Sequence, residues 1–486
     1  MNKIHALATA VLCLTASACS GSIDRHALVN RNNPHITTID DKSSLTVGNG
    51  GFAYTVDVTG LQTFPDIYKP GVPLGTQSEW GWHSFANPDS LQHSETLKSY
   101  DFGRGHEELY ACQFREDGRS KDASNWFRVN PHRLHLGYVG FSGLEPAQIS
   151  DIDQTLDMWT GNINSQFKVD GTPVTVNTSC HPDRDMIAAE ITSEKRLPIA
   201  VRFPYPTGGH CDDATDWTKD DLHLTEVVSS EPNSAVLRHT IDSTSYYVTV
   251  NWTGNATGAL NGRNEWVLTP ADDQWSFTAE FTPEQSAAET VAASQVKADA
   301  EAYWTDFWKN GGVVDFSECT DPRAKELERR VVLSQYLLAA QCAGSTPPQE
   351  TGLTYNSWFG KFHLEMIWWH QAQFALYGHE NLLARTLPWY QTAMPIAREI
   401  AQRQGFDGVR WMKMTDPSAM EAPSNVGSFL IWQQPHIIYL AELLYRANPD
   451  PKLLEQFGEQ VEETAKFMES FVTYDADNNR YSFQGM

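Results

Sequence analysis

The side chains best suited to chemistry lie in residues 355–370, which read YNSWFGKFHLEMIWWH. Where a loop is predicted to enter a helix, this stretch carries Trp358, Lys361, His363 and Glu365. The apolar face of a pyranose stacks on an indole ring, and its hydroxyls hydrogen-bond to charged or bidentate side chains. Loops that enter helices often carry functional residues. The stretch therefore indicates a sugar-binding site, in which Lys361 and His363 are expected to bind rather than to catalyse.

The aromatic residues that follow have a simpler interpretation. Trp368, Trp369 and Phe374 lie within the predicted helix. Large aromatic side chains on one face of a helix usually belong to a core. These three residues are therefore predicted to be the buried side of that helix.

Two carboxylates are candidates for acid–base chemistry. One is Glu365, and the other is Glu421 in the Pro-containing stretch 405–427, GFDGVRWMKMTDPSAMEAPSNVG. Cleavage of a glycosidic bond needs an acid that protonates the leaving oxygen and, across the sugar, a base or an external nucleophile. Glu421 is the candidate acid and Glu365 its partner. Alternatively, Glu421 binds a sugar hydroxyl or is a solvated loop charge.

Several classes of partner are excluded by composition and motifs. The formal net charge of −25 argues against nucleic acid, which requires clustered Lys and Arg. No Gly-rich phosphate loop or nucleotide motif occurs, so no cofactor is expected. No pair of His or carboxylate side chains recurs at metal-ligand spacing, so no metal site is predicted. The cysteines beyond Cys19 show no disulfide framework, although one or two bridges remain open: Cys112, Cys180, Cys211, Cys319 and Cys342.

The first residues resemble an export signal. Residues 1–19 contain Lys3, a short apolar run and the sequence TASAC, which ends at Cys19. The run is too short to span a membrane and is typical of a signal peptide. Its end resembles a bacterial lipoprotein processing site, which implies lipidation of Cys19 and a membrane-anchored protein at the periplasm or outer membrane.

The mature chain is predicted to be multidomain, first β and then α. Short runs rich in β-branched and aromatic residues, separated by turns, predict an antiparallel β-sandwich over residues 20–281. The sequence Thr282-Pro283-Glu284-Gln285 resembles a capping box and predicts a linker helix within 282–318. Residues 319–486 are predicted to hold five helices, at 322–342, 363–378, 380–404, 428–446 and 452–472. Long loops follow the first and third of these helices, so their residues should gather at one end.

A β-sandwich, a linker helix and paired helices resemble the six-hairpin glycosidase clan with an (α/α)6 barrel, especially glycoside hydrolase families 65 and 95. Residues 361–366 are similar to the family 95 stretch in which two Asn residues orient the attacking water, although this chain has Lys361 and His363 there. Trp411 and Glu421 resemble parts of the substrate-contacting loop. The helix with LIWQQPH is similar to the matching helix of both families and places Gln433 and Gln434 near the pocket.

The resemblance implies a glycoside hydrolase that acts on α-linked glycans or oligosaccharides with inversion, and the N-terminal residues predict that it is exported and lipid-anchored. In the related families the acid glutamate follows the fifth helix, so it is expected beyond residue 486, and the helical region is expected to be a partial toroid. One alternative is a disaccharide phosphorylase, for which Lys361, Arg410 and Lys413 are the nearby cations. Another is a glycan-binding protein or an inactive truncated remnant.

Overall fold

The computed structural model describes residues 22–483. The predicted signal peptide and the lipidation site at Cys19 lie outside these residues. Within them, no helix is long and apolar enough to cross a membrane.

Short antiparallel strands dominate the first part of the described chain, as the sequence predicts. They are β1 (His35–Ile36), β2 (Leu45–Gly48), β3 (Phe52–Val56), β4 (Gly75–Ser78), β5 (Trp82–His83), β6 (Leu97–Tyr100), β7 (Glu108–Ala111), β8 (His132–Arg133), β9 (Tyr138–Phe141), β10 (Ile149–Asp157), β11 (Asn162–Val169), β12 (Thr172–Cys180), β13 (Met186–Ser193), β14 (Ile199–Arg202), β15 (Cys211–Asp212), β16 (His223–Glu231), β17 (Ser234–Ile241), β18 (Thr244–Trp252), β19 (Ala256–Leu260), β20 (Glu265–Pro270) and β21 (Gln274–Thr282). Five short strands lie further along: β22 (Asn356–Ser357), β23 (Phe362–His363), β24 (Met414–Thr415), β25 (Thr473–Asp475) and β26 (Arg480–Ser482).

The largest sheet has nine strands in the order β1-β10-β11-β12-β13-β21-β18-β17-β16. Alternate residues of its strands point to opposite faces, and in β17 it is Ala235, Leu237, His239 and Ile241 that are buried. A four-stranded sheet (β19-β20-β14-β9) and a three-stranded sheet (β2-β3-β4) contribute to the same core. Ring contacts such as Phe52 with Phe281, at 5.8 Å between centroids, join the layers.

The helices are α1 (Arg25–Asn30), α2 (Pro65–Tyr68), α3 (Arg119–Val129), α4 (Ala293–Asn310), α5 (Ala324–Gln341), α6 (Ile367–Leu376), α7 (Glu380–Thr386), α8 (Pro388–Arg403), α9 (His436–Ala447) and α10 (Pro451–Phe471). Short 3-10 turns occur at His93–Thr96, Pro146–Gln148, Asp220–Leu222 and Trp358–Gly360.

Several helix boundaries differ from the sequence prediction. The linker helix begins at Ala293, because Thr282 is the last residue of β21, where it pairs with Tyr247 of β18, and does not cap a helix. The predicted helix 380–404 is divided into α7 and α8, since Pro388 lacks an N–H and begins a new helix. The predicted helix 428–446 begins only at His436, after Pro435.

Helix α4 connects the β-rich region to the remaining helices. It is docked by the buried residues Trp304, Phe307 and Trp308. The Trp308 indole Nε1 donates to the carbonyl of Met158 at 2.6 Å, and the Trp304 ring lies 4.3 Å from that of Tyr336 on α5. The two regions therefore share one continuous core, on which the loops between them are held.

Candidate functional site

A strained turn at the start of the motif holds Trp358. Trp358, Phe359 and Gly360 have φ angles of 53°, 63° and 73°, in the left-handed region that bulky residues rarely adopt. The turn is fixed from the β-rich region, because β15 pairs with β22 and the Phe359 N–H donates to the His210 carbonyl at 3.0 Å. Strained backbone of this kind persists only where its surroundings impose it, and it clusters at functional sites.

The strand pair β23–β24 brings residues 355–370 next to the second long loop, residues 405–427. In the β23–β24 pair, His363 lies opposite Met414, and the Leu364 N–H donates to the Lys413 carbonyl at 2.8 Å. Because β23 occupies residues 362 and 363, α6 begins at Ile367 rather than at 363. The pairing places Lys413 beside Glu365.

Both carboxylate oxygens of Glu365 have partners. Lys413 Nζ lies 2.9 Å from its Oε2, and the Trp432 indole Nε1 donates to its Oε1 at 3.2 Å. The same Lys413 ammonium lies 4.2 Å from the centre of the Trp358 ring. A carboxylate, a cation and two indoles are therefore linked in one cluster.

His363 lies between two carboxylates. Its Nε2 is 3.9 Å from Glu365 Oε2 and 3.8 Å from Glu350 Oε2, both beyond hydrogen-bond distance. Neither ring nitrogen has a hydrogen-bond partner among residues 22–483. Burial, aided by the nearby Lys413 and His370, lowers the pKa of His363 to about 3. The ring is therefore neutral near pH 7 and offers one donor and one acceptor.

Glu350 was not among the residues singled out from sequence. Ser357 Oγ donates to its Oε2 at 3.1 Å, and the His363 N–H donates to the Pro348 carbonyl at 3.0 Å. The two carboxylate oxygens that flank His363 are separated by no more than the sum of their distances to Nε2, below about 8 Å. Glu350 lies in the long loop before residues 355–370. That position was the only feature of the sequence that pointed to it.

The structure places Lys361 outside this cluster. It is 1% exposed, and its Nζ donates to the carbonyl of Asn130 at 2.9 Å. Burial lowers the pKa of Lys361 to about 8. The side chain therefore anchors the motif to the β-rich region.

Three residues that were predicted to contact sugar form hydrogen bonds within the protein instead. The Trp411 indole Nε1 donates to Thr464 Oγ1 at 2.8 Å, which directs the ring towards α10. Gln434 Nε2 donates to the Val409 carbonyl at 2.6 Å, and its Oε1 accepts from the Trp411 N–H at 2.9 Å. Gln433 Nε2 donates to the carbonyls of Trp411 and Leu430. These side chains hold the second long loop in shape.

Glu421 forms a buried ion pair. Its side chain is 0% exposed, and its Oε1 contacts Arg403 Nη2 at the end of α8. Its backbone pairs with Thr415, and its carbonyl lies 3.2 Å from His93 Nε2. The structure therefore places the Glu421 carboxylate with Arg403 and not with Glu365.

The described residues provide no group of three or more His, Cys, Asp or Glu side chains that could hold a metal ion. The cysteines within the same residues are all unpaired, and Cys211 and Cys319 are exposed.

No protein-family model matches the chain, and no curated protein matches its sequence. Among solved structures, one described as a kojibiose phosphorylase from the human microbiome matches with a TM-score of 0.61 at 12% identity, over 90% of this chain and 58% of that chain. A bacterial glucoamylase in complex with acarbose gives 0.45 at 9% identity, over 90% of this chain and 60% of that chain. A glycosyl hydrolase of family GH92 gives 0.34 at 11% identity, over 95% and 66%. These last two scores are too low to carry an argument.

The likeness to the kojibiose phosphorylase structure extends over both the β-rich and the helical regions, since it covers 90% of the chain. The chain shares its fold with the matched part of that structure. At 12% identity the match establishes the fold alone, and this chain spans 58% of the length of that protein. The predicted order of a β-rich region followed by helices is thus supported at the level of fold.

Proposed function

We propose that the protein is a carbohydrate-active enzyme that binds a glycan at the cluster of Trp358, Glu365, Lys413, His363 and Trp432. The observation that carries the proposal is the Glu365 carboxylate, held by Lys413 and Trp432 beside the neutral His363 ring, whose nitrogens have no hydrogen-bond partner within residues 22–483. Indole faces suit the apolar side of a pyranose, and the polar groups around them suit its hydroxyls. The fold shared with a kojibiose phosphorylase supports a saccharide substrate.

The finer proposal is hydrolysis of an α-linked glycan with inversion. Lys413 and the Trp432 indole hold the Glu365 carboxylate in place, which suits it to activating water or to binding a hydroxyl. Glu350 supplies a second, more exposed carboxylate, whose Oε2 lies no more than about 8 Å from Glu365 Oε2; inversion requires the two carboxyl groups to be roughly 6.5–9.5 Å apart. Glu421 is assigned to positioning the second long loop through Arg403.

A disaccharide phosphorylase is the second candidate. Lys413 and Arg128 both lie near the Trp358 ring, at 4.2 and 5.7 Å from its centre, and offer positive charge for a phosphate. The two candidates differ in the nucleophile, water or phosphate.

Turnover of aryl α-glycosides and of α-linked disaccharides, with and without inorganic phosphate, tests both candidates. Release of free sugar without phosphate, with the inverted anomer seen first by NMR, supports the hydrolase. Release that depends on phosphate and yields a sugar phosphate supports the phosphorylase. Binding without turnover supports a glycan-binding role.

Alkylation of Cys211 reports binding independently of turnover. Cys211 Sγ lies 3.5 Å from His210 Nδ1, and the His210 ring lies 4.4 Å from that of Trp358. A saccharide bound on Trp358 should slow reaction of Cys211 with iodoacetamide, while the other exposed thiol, Cys319, should react at an unchanged rate. Equal rates at Cys211 with and without every saccharide tested would contradict the proposed site.

We further propose that Cys19 anchors the protein to a bacterial membrane. The support is the sequence alone, a short apolar run that ends in TASAC. Metabolic labelling with a fatty-acid analogue should mark the wild type and not a Cys19→Ala variant. Equal labelling of both would contradict the proposal.

A further inference from the structure

A second groove lies on the β-rich region and shares no lining residue with the Trp358 cluster. It has a volume of about 300 Å³. Side chains from β14, from the loop after β15 and from the turn between β19 and β20 line it, principally Arg202, Trp217, Asp220, Asn261, Arg263 and Glu265.

Trp217 forms an exposed, preorganised platform in this groove. One side of its ring stacks on Tyr138, with centroids 5.8 Å apart and planes at 21°, and the residue is 43% exposed. The loop is held because the Asp216 N–H donates to the Tyr205 carbonyl at 2.8 Å, and Thr218 donates twice to Asp216 Oδ1. A fixed indole with an open side loses little conformational entropy when a ligand stacks on it.

Arg202 lies beside this platform with its hydrogen-bonding capacity unused. Its guanidinium carbon is 5.8 Å from the Tyr138 ring centre and 5.9 Å from that of Trp217. Its backbone is fixed within β14, between β9 and β20. Its side chain makes no hydrogen bond or salt bridge to any residue between 22 and 483, so the N–H donors of a rigid fork are available.

The remaining groups supply acceptors and balance the charge. Asp220 Oδ1 accepts from Asn264 Nδ2 at 2.8 Å, and Glu265 Oε1 accepts from Asn261 Nδ2. These bonds orient the two carboxylates and leave the second oxygen of each unbonded within the described part of the chain. Two arginines face two carboxylates, which suits a neutral ligand with many hydroxyls and disfavours an anion.

We propose that the Trp217 groove is an auxiliary site for a neutral pyranose unit of a glycan. The inference rests on the proposed function for the choice of glycan as ligand, and it assigns a second point of attachment. Trp217 follows β15 by five residues, so its Cα lies within about 18 Å of that of Asp212. Asp212 pairs with Asn356, next to the Trp358 turn. One segment thus links the two sites, and a long glycan bound at both gains affinity through effective concentration.

A purely structural role for Trp217 would have different consequences. As a cover for Tyr138 alone, the indole would contribute to stability and not to glycan affinity. The unbonded Arg202 guanidinium would then have no function in the groove. Glycan binding and stability must therefore be measured separately.

Affinity electrophoresis in native gels that contain soluble starch, dextran or yeast mannan tests the proposal. At least one polymer should retard the wild type, and Trp217→Ala should raise its dissociation constant about ten-fold. Arg202→Ala should weaken the same interaction, while Trp217→Phe should retain most of it. Unfolding temperatures of all variants, by circular dichroism, identify any loss that comes from misfolding.

Two outcomes would overturn the proposal: no retardation by any of the three polymers, or unchanged retardation of both Trp217→Ala and Arg202→Ala. Protection of Cys211 by small saccharides separates this result from the proposed function. In Trp217→Ala that protection should be unchanged, because the Trp358 cluster is intact. If Trp217→Ala loses polymer binding and no saccharide protects Cys211 in the wild type, the auxiliary site is supported and the proposed function is contradicted.

Discussion

Lys413 Nζ lies 2.9 Å from Glu365 Oε2, in a pair whose side chains are only 13% and 19% exposed. The same ammonium lies over the Trp358 ring, so the pair fixes the carboxylate relative to the indole. Removing one partner of a largely buried pair leaves the other charge uncompensated. The pair is therefore the contact on which the geometry of the candidate site depends.

Replacing Glu365 with Gln should abolish turnover and should weaken saccharide binding less, because the amide oxygen can still accept a hydrogen bond from Lys413. The amide keeps the shape of the side chain but cannot act as a base, so we expect kcat to fall by about 10²- to 10⁴-fold. Turnover assays on the best substrate, together with Cys211 protection, measure the two effects. Glu455→Gln, on the exposed side of α10, is the matched control and should behave as the wild type. Wild-type kcat in Glu365→Gln would remove Glu365 from the mechanism.

Replacing Glu421 with Gln should destabilise the protein rather than change its chemistry. Its carboxylate is fully buried against Arg403, and loss of the charge leaves the guanidinium without its partner. Breaking a buried pair costs about 3–5 kcal/mol, and the partial exposure of Arg403 favours the lower end of that range. Thermal unfolding measures the change.

The double variant Glu421→Gln with Arg403→Met is the control for that pair. It should be less destabilised than the sum of the two single variants, because both members of the pair are removed together. If Glu421→Gln unfolds at the wild-type temperature yet loses turnover, Glu421 acts as a catalytic acid, as its loop position in the sequence suggests.

The sequence predicted the core of the Trp358 cluster because residue type and position carry that information. Trp358, His363 and Glu365 interleave aromatic and polar groups at one loop, and these three do lie together. The partners of Lys361 and Glu421 were not predictable, since Asn130 and Arg403 reach them only through tertiary packing. Lys361 and Glu421 both lie in the two long loops, but their side chains bond to other residues of the protein.

The strand pattern was the most predictable part of the fold, and the start of the linker helix was the least. Alternation of buried and exposed residues in strands such as β17 is a local signal. The Thr282-Pro283 sequence is also a local signal, but pairing of Thr282 with Tyr247 overrides it. A cap contributes about 1 kcal/mol, which pairing within the interior of a nine-stranded sheet, between β21 and β18, readily exceeds.

Acid should destabilise the helical region through its buried histidines. Burial lowers the pKa of His363 to about 3 and that of His370 to about 4, below the ordinary value of 6.5. The unfolded chain therefore binds more protons than the folded one between these values. Stability is complete above about pH 6.5 and is lost as the pH falls towards 4, by up to about 1.4 kcal/mol per pH unit for each histidine.

Urea unfolding followed by tryptophan fluorescence between about pH 5 and pH 7.5 measures this dependence. His370→Gln removes one of the buried histidines with a lowered pKa and should make the stability less dependent on pH over that range. An unchanged slope in His370→Gln would show that His370 binds protons equally in the folded and unfolded chains over that range.

Gly360 should be intolerant of substitution because two independent constraints meet there. Its φ of 73° is unfavourable for a side chain, and an added Cβ would lie 2.3 Å from Arg133 Cβ. Gly360→Ala should therefore lose about 1–3 kcal/mol of stability from the backbone alone and displace the Trp358 turn. Gly458 on α10 is the matched control, since no atom lies within 4 Å of its added Cβ, and Gly458→Ala should gain up to about 1 kcal/mol. Urea midpoints of the two variants test the contrast. Equal stability of Gly360→Ala and the wild type, with Cys211 protection intact, would show that the turn is free to relax and that its strain has no part in holding Trp358.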